Sequence, residues 1–341
     1  MSAFAKPLII PIFIPHAGCP HFCIFCNQRA ITGSGTSLPT SADIRSRVHE
    51  FLSYKRDSRS GVELSFYGGN FLGLPTKTLQ DLLGQASEFA ASGQIDSIRF
   101  STRPDTVDEK RLTLLAPYPV STVELGVQSM DDGVLRESGR GHTAADTVNA
   151  VSLLKQKNYR VGLQMMTGLP GDTDAICLQT ARQIVALKPD FVRIYPTLVI
   201  CGSPLEEVYR QGRYAPQSLD DCIALLKTLA LLFQENGISV IRMGLQASDG
   251  LDDPAIVLAG PYHPALGHMV YSKILLDAAT KALSAGEPPG QTVTITVHPL
   301  SLSRMQGLNK TNIDILKHRF HIETLYLATD PALDVDSVRL G

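Results

Sequence analysis

Three of the chain's six cysteines stand within eight residues, in the string Gly18-Cys19-Pro20-His21-Phe22-Cys23-Ile24-Phe25-Cys26. Thiols so close together in a chain of this length are a metal-binding set. A secreted disulfide scaffold would be shorter and richer in cysteine. A four-iron cubane held by Cys19, Cys23 and Cys26 keeps one iron without a protein ligand. That iron is open to chelation by a substrate or cofactor, whereas a cluster that only carries electrons is normally closed by a fourth cysteine. Two other readings fit the same spacing. With His16 or His21 the trio makes a Cys3His set of the kind that binds structural zinc. Alternatively the thiols are buried, inert and clustered by chance. Cys177, Cys201 and Cys222 are scattered and point to no site.

The elements around the trio say where it sits. It directly follows residues 8–14, a short apolar run rich in β-branched residues that reads as a buried strand. Similar runs recur at 63–67, 97–101, 122–126, 160–165, 191–195 and 239–242. Helical patterns separate them. Leu219, Cys222, Ile223, Leu226, Leu229 and Phe233 recur at helix spacing, and Asn236-Gly237 ends that run. Thr143 with Asp146 makes an N-terminal cap before Val148, Val151 and Leu154. Repeated strand–helix units imply a parallel sheet with helices outside. The fold class is α/β, a partial (β/α) barrel of the TIM type with a small C-terminal α/β appendage. In such barrels, sites lie at the carboxyl ends of the strands, where the cysteine loop falls. The expected organisation is a barrel over 1–245, a loop and helix extension with linker over 246–291, and an appendage over 292–341.

The chain has 341 residues, 44% of them hydrophobic, and a formal net charge of -2. No Lys/Arg run announces a nucleic acid, although a local basic patch can sit inside a neutral total. No segment reaches the roughly 20 apolar residues of a membrane span. The apolar N-terminal run is broken by Pro11 and Pro15 and reads poorly as a signal peptide. These features place the protein in the cytoplasm.

The other strand ends carry weaker signals. The second strand runs into Tyr67-Gly68-Gly69-Asn70, where glycines allow close approach of a ligand or a simple turn. The third ends at Ser101. The fourth gives Glu124-Leu125-Gly126-Val127-Gln128-Ser129, followed by Gly139-Arg140-Gly141-His142-Thr143. The fifth gives Gln164-Met165-Met166-Thr167-Gly168-Leu169-Pro170-Gly171, and the sixth ends at Tyr195. By themselves Arg140 reads as a surface charge, His142 as a cap or packing residue, and the two methionines as core.

Taken together, the cysteine spacing with Phe25 before Cys26 and these strand ends in order resemble the radical SAM superfamily. That resemblance implies a [4Fe–4S] cluster on Cys19, Cys23 and Cys26. The open iron would chelate S-adenosylmethionine (SAM), and reductive cleavage would give methionine and a 5'-deoxyadenosyl radical. It implies SAM contacts at Phe25, Gly68, Gly69, Asn70, Ser101, Gln128, Arg140, Gln164 and Tyr195. Arginine suits the carboxylate end of SAM, because its fork pairs with a carboxylate bidentately. Two positions depart from the family pattern: Asn70 stands where an acid is common, and Ser101 where a glutamate often holds the ribose. The resemblance also implies an electron donor of the flavodoxin or ferredoxin type.

Within the superfamily, Val-Glu-Leu-Gly-Val-Gln-Ser, Gly-Arg-Gly-His-Thr and Gln-Met-Met-Thr-Gly-Leu-Pro-Gly look most like the radical SAM domain of the Elongator catalytic subunit. That likeness covers roughly residues 8–245 and implies a tRNA or other RNA substrate. About a hundred residues follow the barrel, too few for an acetyltransferase together with the tail. The basic N-terminal segment that grips tRNA in that family is not seen either. Oxygen-independent coproporphyrinogen III oxidases share Gly-Val-Gln-Ser and Gly-Leu-Pro-Gly, but their string before the first cysteine differs from Phe13-Ile14-Pro15-His16-Ala17-Gly18. A non-catalytic iron–sulfur protein that binds RNA is a further alternative. The tail has a β-α-loop-α-β order around Gly307-Leu308-Asn309-Lys310, similar to a KH module except that its second loop glycine is replaced by Lys310. Arg242, Gln246, Tyr262 and His263 are polar candidates for meeting the substrate.

Overall fold

A computed structural model describes residues 7–20, 23–32, 37–54, 60–245, 251–285 and 290–341. His21, Gln246 and residues 286–289 of the expected linker lie outside the described residues. The chain divides into two units: residues 1–217 with 232–262, and residues 218–231 with 263–341.

Seven strands of the first unit form one sheet. They are β1 (Leu8–Phe13), β2 (Val62–Tyr67), β3 (Ser97–Thr102), β4 (Val120–Gln128), β5 (Arg160–Thr167), β6 (Phe191–Pro196) and, after the two-residue β7 (Val199–Ile200), β8 (Ser239–Met243). Every pairing is parallel and the order is β1-β2-β3-β4-β5-β6-β8. Each crossover therefore steps one strand along, as right-handed strand–helix–strand units do. The two edge strands do not pair with each other, so the sheet is a curled partial barrel. The expected barrel strands are all present, within two residues at either end.

Strand alternation gives the two faces of the sheet different chemistry. Ile10, Ile12, Leu64, Phe66, Ile98, Phe100, Val123, Leu125, Val161, Leu163, Val192 and Ile194 point to one face and are buried. That face packs against helices that include α2 (Ser41–Ser53), α3 (Thr76–Ala91), α6 (Ala144–Gln156) and α7 (Asp174–Leu187). Phe66, Phe71 and Phe100 stack there with ring centroids 4.9 and 4.6 Å apart.

The inner face is polar. Glu63, Ser65 and Tyr67 on β2 face Arg99 and Ser101 on β3, Glu124 on β4, Gln164 on β5, and Arg193 and Tyr195 on β6. Four of these charges cancel. Arg99 ion-pairs with Glu63 at 3.1 Å and with Glu124 at 2.9 Å, and Arg193 ion-pairs with the other Glu124 oxygen at 2.6 Å. Tyr67 and Arg193 both reach Glu124 Oε1, and Arg193 also bonds the hydroxyls of Tyr67 and Tyr195. The network crosses β5 at Gly162, where a Cβ would stand 2.2 Å from the Phe191 ring. The Arg99 guanidinium lies over that ring, 4.7 Å from its centroid.

In the second unit, β10 (Thr292–Val297) pairs in parallel with β11 (Thr324–Thr329) and antiparallel with β12 (Val338–Leu340). The helices α10 (Leu266–Ala285), α11 (Leu302–Gln306) and α12 (Thr311–Phe320) pack on it around Leu275, Ala279, Ile295, Met305 and Leu316. The expected strand–helix–helix–strand order is present, and α10 fills much of the stretch expected as extension and linker. Gly307, Asn309 and Lys310 all take positive φ in the turn before α12. No helix among the described residues is long and apolar enough to cross a membrane.

Candidate cluster and cofactor site

The cysteine loop leaves the carboxyl end of β1 and is held by several neighbours. Gln28, on α1 (Gln28–Thr32), accepts through Oε1 from the backbone N–H groups of His16 at 2.6 Å and Gly69 at 2.9 Å. The Gln28 N–H in turn donates to His16 Nε2 at 3.0 Å. His16 is thereby engaged in the scaffold. Other ties run to Ser138, whose carbonyl accepts from Ile24 N–H at 3.0 Å, to Leu205, whose N–H donates to the Ile24 carbonyl at 2.8 Å, and to Cys201, whose carbonyl accepts from Asn27 Nδ2 at 2.7 Å.

A further tie is Asn70, which is wholly buried and makes four side-chain hydrogen bonds. Its Nδ2 donates to the Gly18 carbonyl. Its Oδ1 accepts from the Thr102 and Thr106 hydroxyls and the Arg103 N–H. The Asn70 side chain thus locks the cysteine loop to the end of β3, and its backbone is engaged as well, the N–H donating to the Ala17 carbonyl at 2.7 Å and the carbonyl accepting from the Gly73 N–H at 3.0 Å. Neutral asparagine suits this place because it must donate and accept at once, which a carboxylate does not. Space is tight as well. A Cβ on Gly18 would lie 2.3 Å from the Asn70 carbonyl oxygen, and one on Gly69 2.4 Å from that of Ala17. Asn70→Ala should cost roughly 2–4 kcal/mol, since it orphans buried partners. Urea unfolding measures this, and a loss below about 1 kcal/mol would show that the junction is held by other bonds.

Cys19, Cys23 and Cys26 are all free thiols. Burial, and next the neighbouring Cys23, pushes the Cys26 thiol up to about 12 and raises that of Cys19. Thiols in this state need a metal charge to become ligands.

Arg140 reaches this loop from the segment after α5 (Asp132–Glu137). Its Nη1 donates to Cys23 Sγ at 3.3 Å and its Nη2 to the Gly126 carbonyl. Gln128 lies beside it at a bulge in β4, with φ of +67°. The bulge re-aims its side chain, and Gln164 Nε2 donates to Gln128 Oε1 at 3.3 Å. Gly126 makes room for both, since a Cβ there would come 3.0 Å from Gln128 Nε2 and 3.2 Å from Arg140 Nη2. Phe25 and Tyr195 meet in one apolar cluster with Val134, Met166 and Leu169. Gly68 and Gly69 both take positive φ, and Ser101 is half-buried on the inner face.

The substrate candidates separate. Arg242 is in register with Arg193 on the inner face. Tyr262 donates to Asp252 at 2.7 Å, and His263 Nδ1 accepts from Ala265 N–H. Sequence reasoning missed Asn27, Gln28, Arg103 and the Glu63–Arg99–Glu124–Arg193 network. Opposite charges at alternating positions of adjacent strands were the available signal for the network.

Among the described residues no three His, Cys, Asp or Glu side chains converge closely enough to hold a single metal ion, so what speaks for a cluster here is the donor chemistry of the loop. Three thiols share one loop, a cation already donates to one of them, and a glycine cradle flanks them. Arg103 Nη1, Arg140 Nε and both His142 ring nitrogens are buried without a well-formed hydrogen bond among the described residues. Burial first, then Arg140 and Arg103, pushes His142 down to about 3, so its ring is neutral.

A parallel half-barrel with a three-thiol centre at its carboxyl rim defines a class of cluster-dependent enzymes. The profile of the Radical SAM superfamily matches residues 13–184, and that of the Radical_SAM C-terminal domain matches 189–275. This chain belongs to the radical SAM superfamily, whose enzymes use a [4Fe–4S] cluster and SAM. It is 28% identical over 230 residues to the tRNA uridine(34) acetyltransferase of Dehalococcoides mccartyi, covering 58% of this chain and 50% of that protein. It is 28% identical over 261 residues to human Elongator complex protein 3, covering 64% and 48%. It thus spans about half the length of these two relatives. The solved archaeal Elp3 of Methanocaldococcus infernus, lacking residues 1–46, superposes with a TM-score of 0.62 at 20% identity over 79% of this chain and 63% of that one. That likeness shows the fold.

Proposed function

We propose that this enzyme cleaves SAM reductively at a cluster held by Cys19, Cys23 and Cys26, and turns the resulting radical on an RNA substrate. The observation that carries the first half is the free cysteine trio with Arg140 donating to Cys23 at 3.3 Å. When bound, the cluster supplies one electron to a carbon–sulfur bond of SAM. The chain's own residues bind and orient. The backbone at Gly68 and Gly69 is shaped for close approach of the methionine end. The linked amides of Gln128 and Gln164, with Ser101, offer hydrogen bonds to the nucleoside. Phe25 and Tyr195 supply apolar walls.

Tyr67 and Tyr195 hydroxyls are tied to Arg193, so they form a rigid floor to the inner face. Burial, then Glu124, pushes the Tyr67 hydroxyl up to about 12, which keeps it a neutral donor at physiological pH. RNA is proposed from the names of the relatives, and the Gly307–Lys310 turn of the second unit is the first place to seek contact with it. The electron donor is of the flavodoxin or ferredoxin type. Crosslinking of the purified protein to total cellular RNA tests the substrate half. Enrichment of tRNA is expected, and a failure to enrich any RNA would overturn it.

A further inference from the structure

We infer that Gln28 is a positioning residue for the ammonium of SAM, because it fixes the peptide between Gly68 and Gly69. This rests on the reading of the site as a cluster and SAM pocket. Gln28 follows Cys26 by two residues and opens α1. Its Oε1 accepts from two backbone donors at once, the His16 N–H at 2.6 Å and the Gly69 N–H at 2.9 Å. Both partners can only donate, so the amide oxygen, not its nitrogen, must face them. The Gln28 N–H holds the same corner from the other side through His16 Nε2, at 3.0 Å. One residue thus joins the end of β1, the cysteine loop and the end of β2.

The peptide that Gln28 holds is one that its own sequence leaves free to turn. Gly68 and Gly69 take φ of +76° and +59°, and paired glycines lack the Cβ contacts that select one orientation of the peptide they share. A trans peptide is planar, with its N–H and C=O on opposite sides. With the Gly69 N–H turned into the cysteine loop, the Gly68 carbonyl is turned out of it. The next peptide repeats the arrangement. The Asn70 N–H donates into the loop, to the Ala17 carbonyl at 2.7 Å, which directs the Gly69 carbonyl outward. Two successive outward carbonyls are acceptors, and they suit an ammonium, which can only donate. Rotation of the first peptide would put an N–H where a carbonyl must meet a cation. The hydrogen bond from Gly69 to Gln28 opposes that rotation.

The test is anaerobic equilibrium dialysis of labelled SAM against the reconstituted enzyme, with iron content measured in parallel. The control ligand, measured by competition, is 5'-methylthioadenosine, which keeps the nucleoside and lacks the methionine end. Gln28→Met keeps the length of the side chain and removes the acceptor. We expect it to load iron as the wild type does. It should bind SAM at least about tenfold more weakly, the scale of a hydrogen bond to a charged group, with methylthioadenosine changed by less than about threefold. Gln28→Glu, which still accepts from both N–H groups, should restore SAM binding. Wild-type SAM affinity in Gln28→Met would overturn the inference. Equal weakening of both ligands, or failure of Gln28→Met to load iron, would overturn it too, since either makes Gln28 a support of the whole loop. A wild-type protein that takes up no cluster would instead refute the reading of the cysteines, before any variant is compared.

Discussion

Cys23→Ala should reduce the iron content of the anaerobically reconstituted protein from about four per chain to near zero. Cys23 is the buried member of the trio and the one that Arg140 contacts. Losing it leaves two thiols, too few to hold a cubane, and strands the Arg140 charge. Cys222→Ala is the control. Cys222 is buried in α9 (Leu219–Glu235), away from the cysteine loop in sequence and in a segment grouped with the second unit. Its loss should cost roughly 1–2 kcal/mol as a small core truncation and leave cluster loading intact. Iron and sulfide assays on the two variants decide this. Equal losses of iron would contradict the assignment of the ligands.

Glu124→Ala should destabilise the protein by about 3–5 kcal/mol. Glu124 is 4% exposed and its two oxygens are shared by Arg99 and Arg193. Removing it turns a balanced set of two acids and two arginines into one with a net buried positive charge. It also unties Tyr67, whose hydroxyl bonds Glu124 Oε1 at 3.2 Å. Glu124→Gln should be milder, because an amide still accepts from one arginine. Ser101→Ala, one strand away and in register with Glu124, should be near neutral. Urea unfolding of the four proteins measures the order. A Glu124→Ala loss below about 1 kcal/mol would show that water compensates the arginines and that the floor of the barrel is open.

The barrel was legible because each strand carries its own signal. Val161, Leu163 and Met165, or Leu64 and Phe66, are β-favouring residues on a buried face, and neighbouring turns punctuate them. The cysteine trio was legible because its members are adjacent in sequence. What joins it to the rest was not. Arg140 and Cys23 lie 117 residues apart, and Gly18 and Asn70 lie 52 apart. Nothing in either local string encodes that pairing. The helix α10 was obscured for a different reason. Leu275, Leu276, Ala279 and Leu283 are buried on more than one face, which blurs the periodicity of an amphipathic helix. The three-residue β12 is too short to declare itself without its partner β10.

The most direct measurement is the yield of 5'-deoxyadenosine. The protein is reconstituted with iron and sulfide without oxygen, then given SAM and dithionite. Reductant-dependent 5'-deoxyadenosine and methionine, lost in Cys23→Ala and retained in Cys222→Ala, is the expected result. One zinc per chain with no iron, or a loaded cluster that never yields 5'-deoxyadenosine, would contradict it.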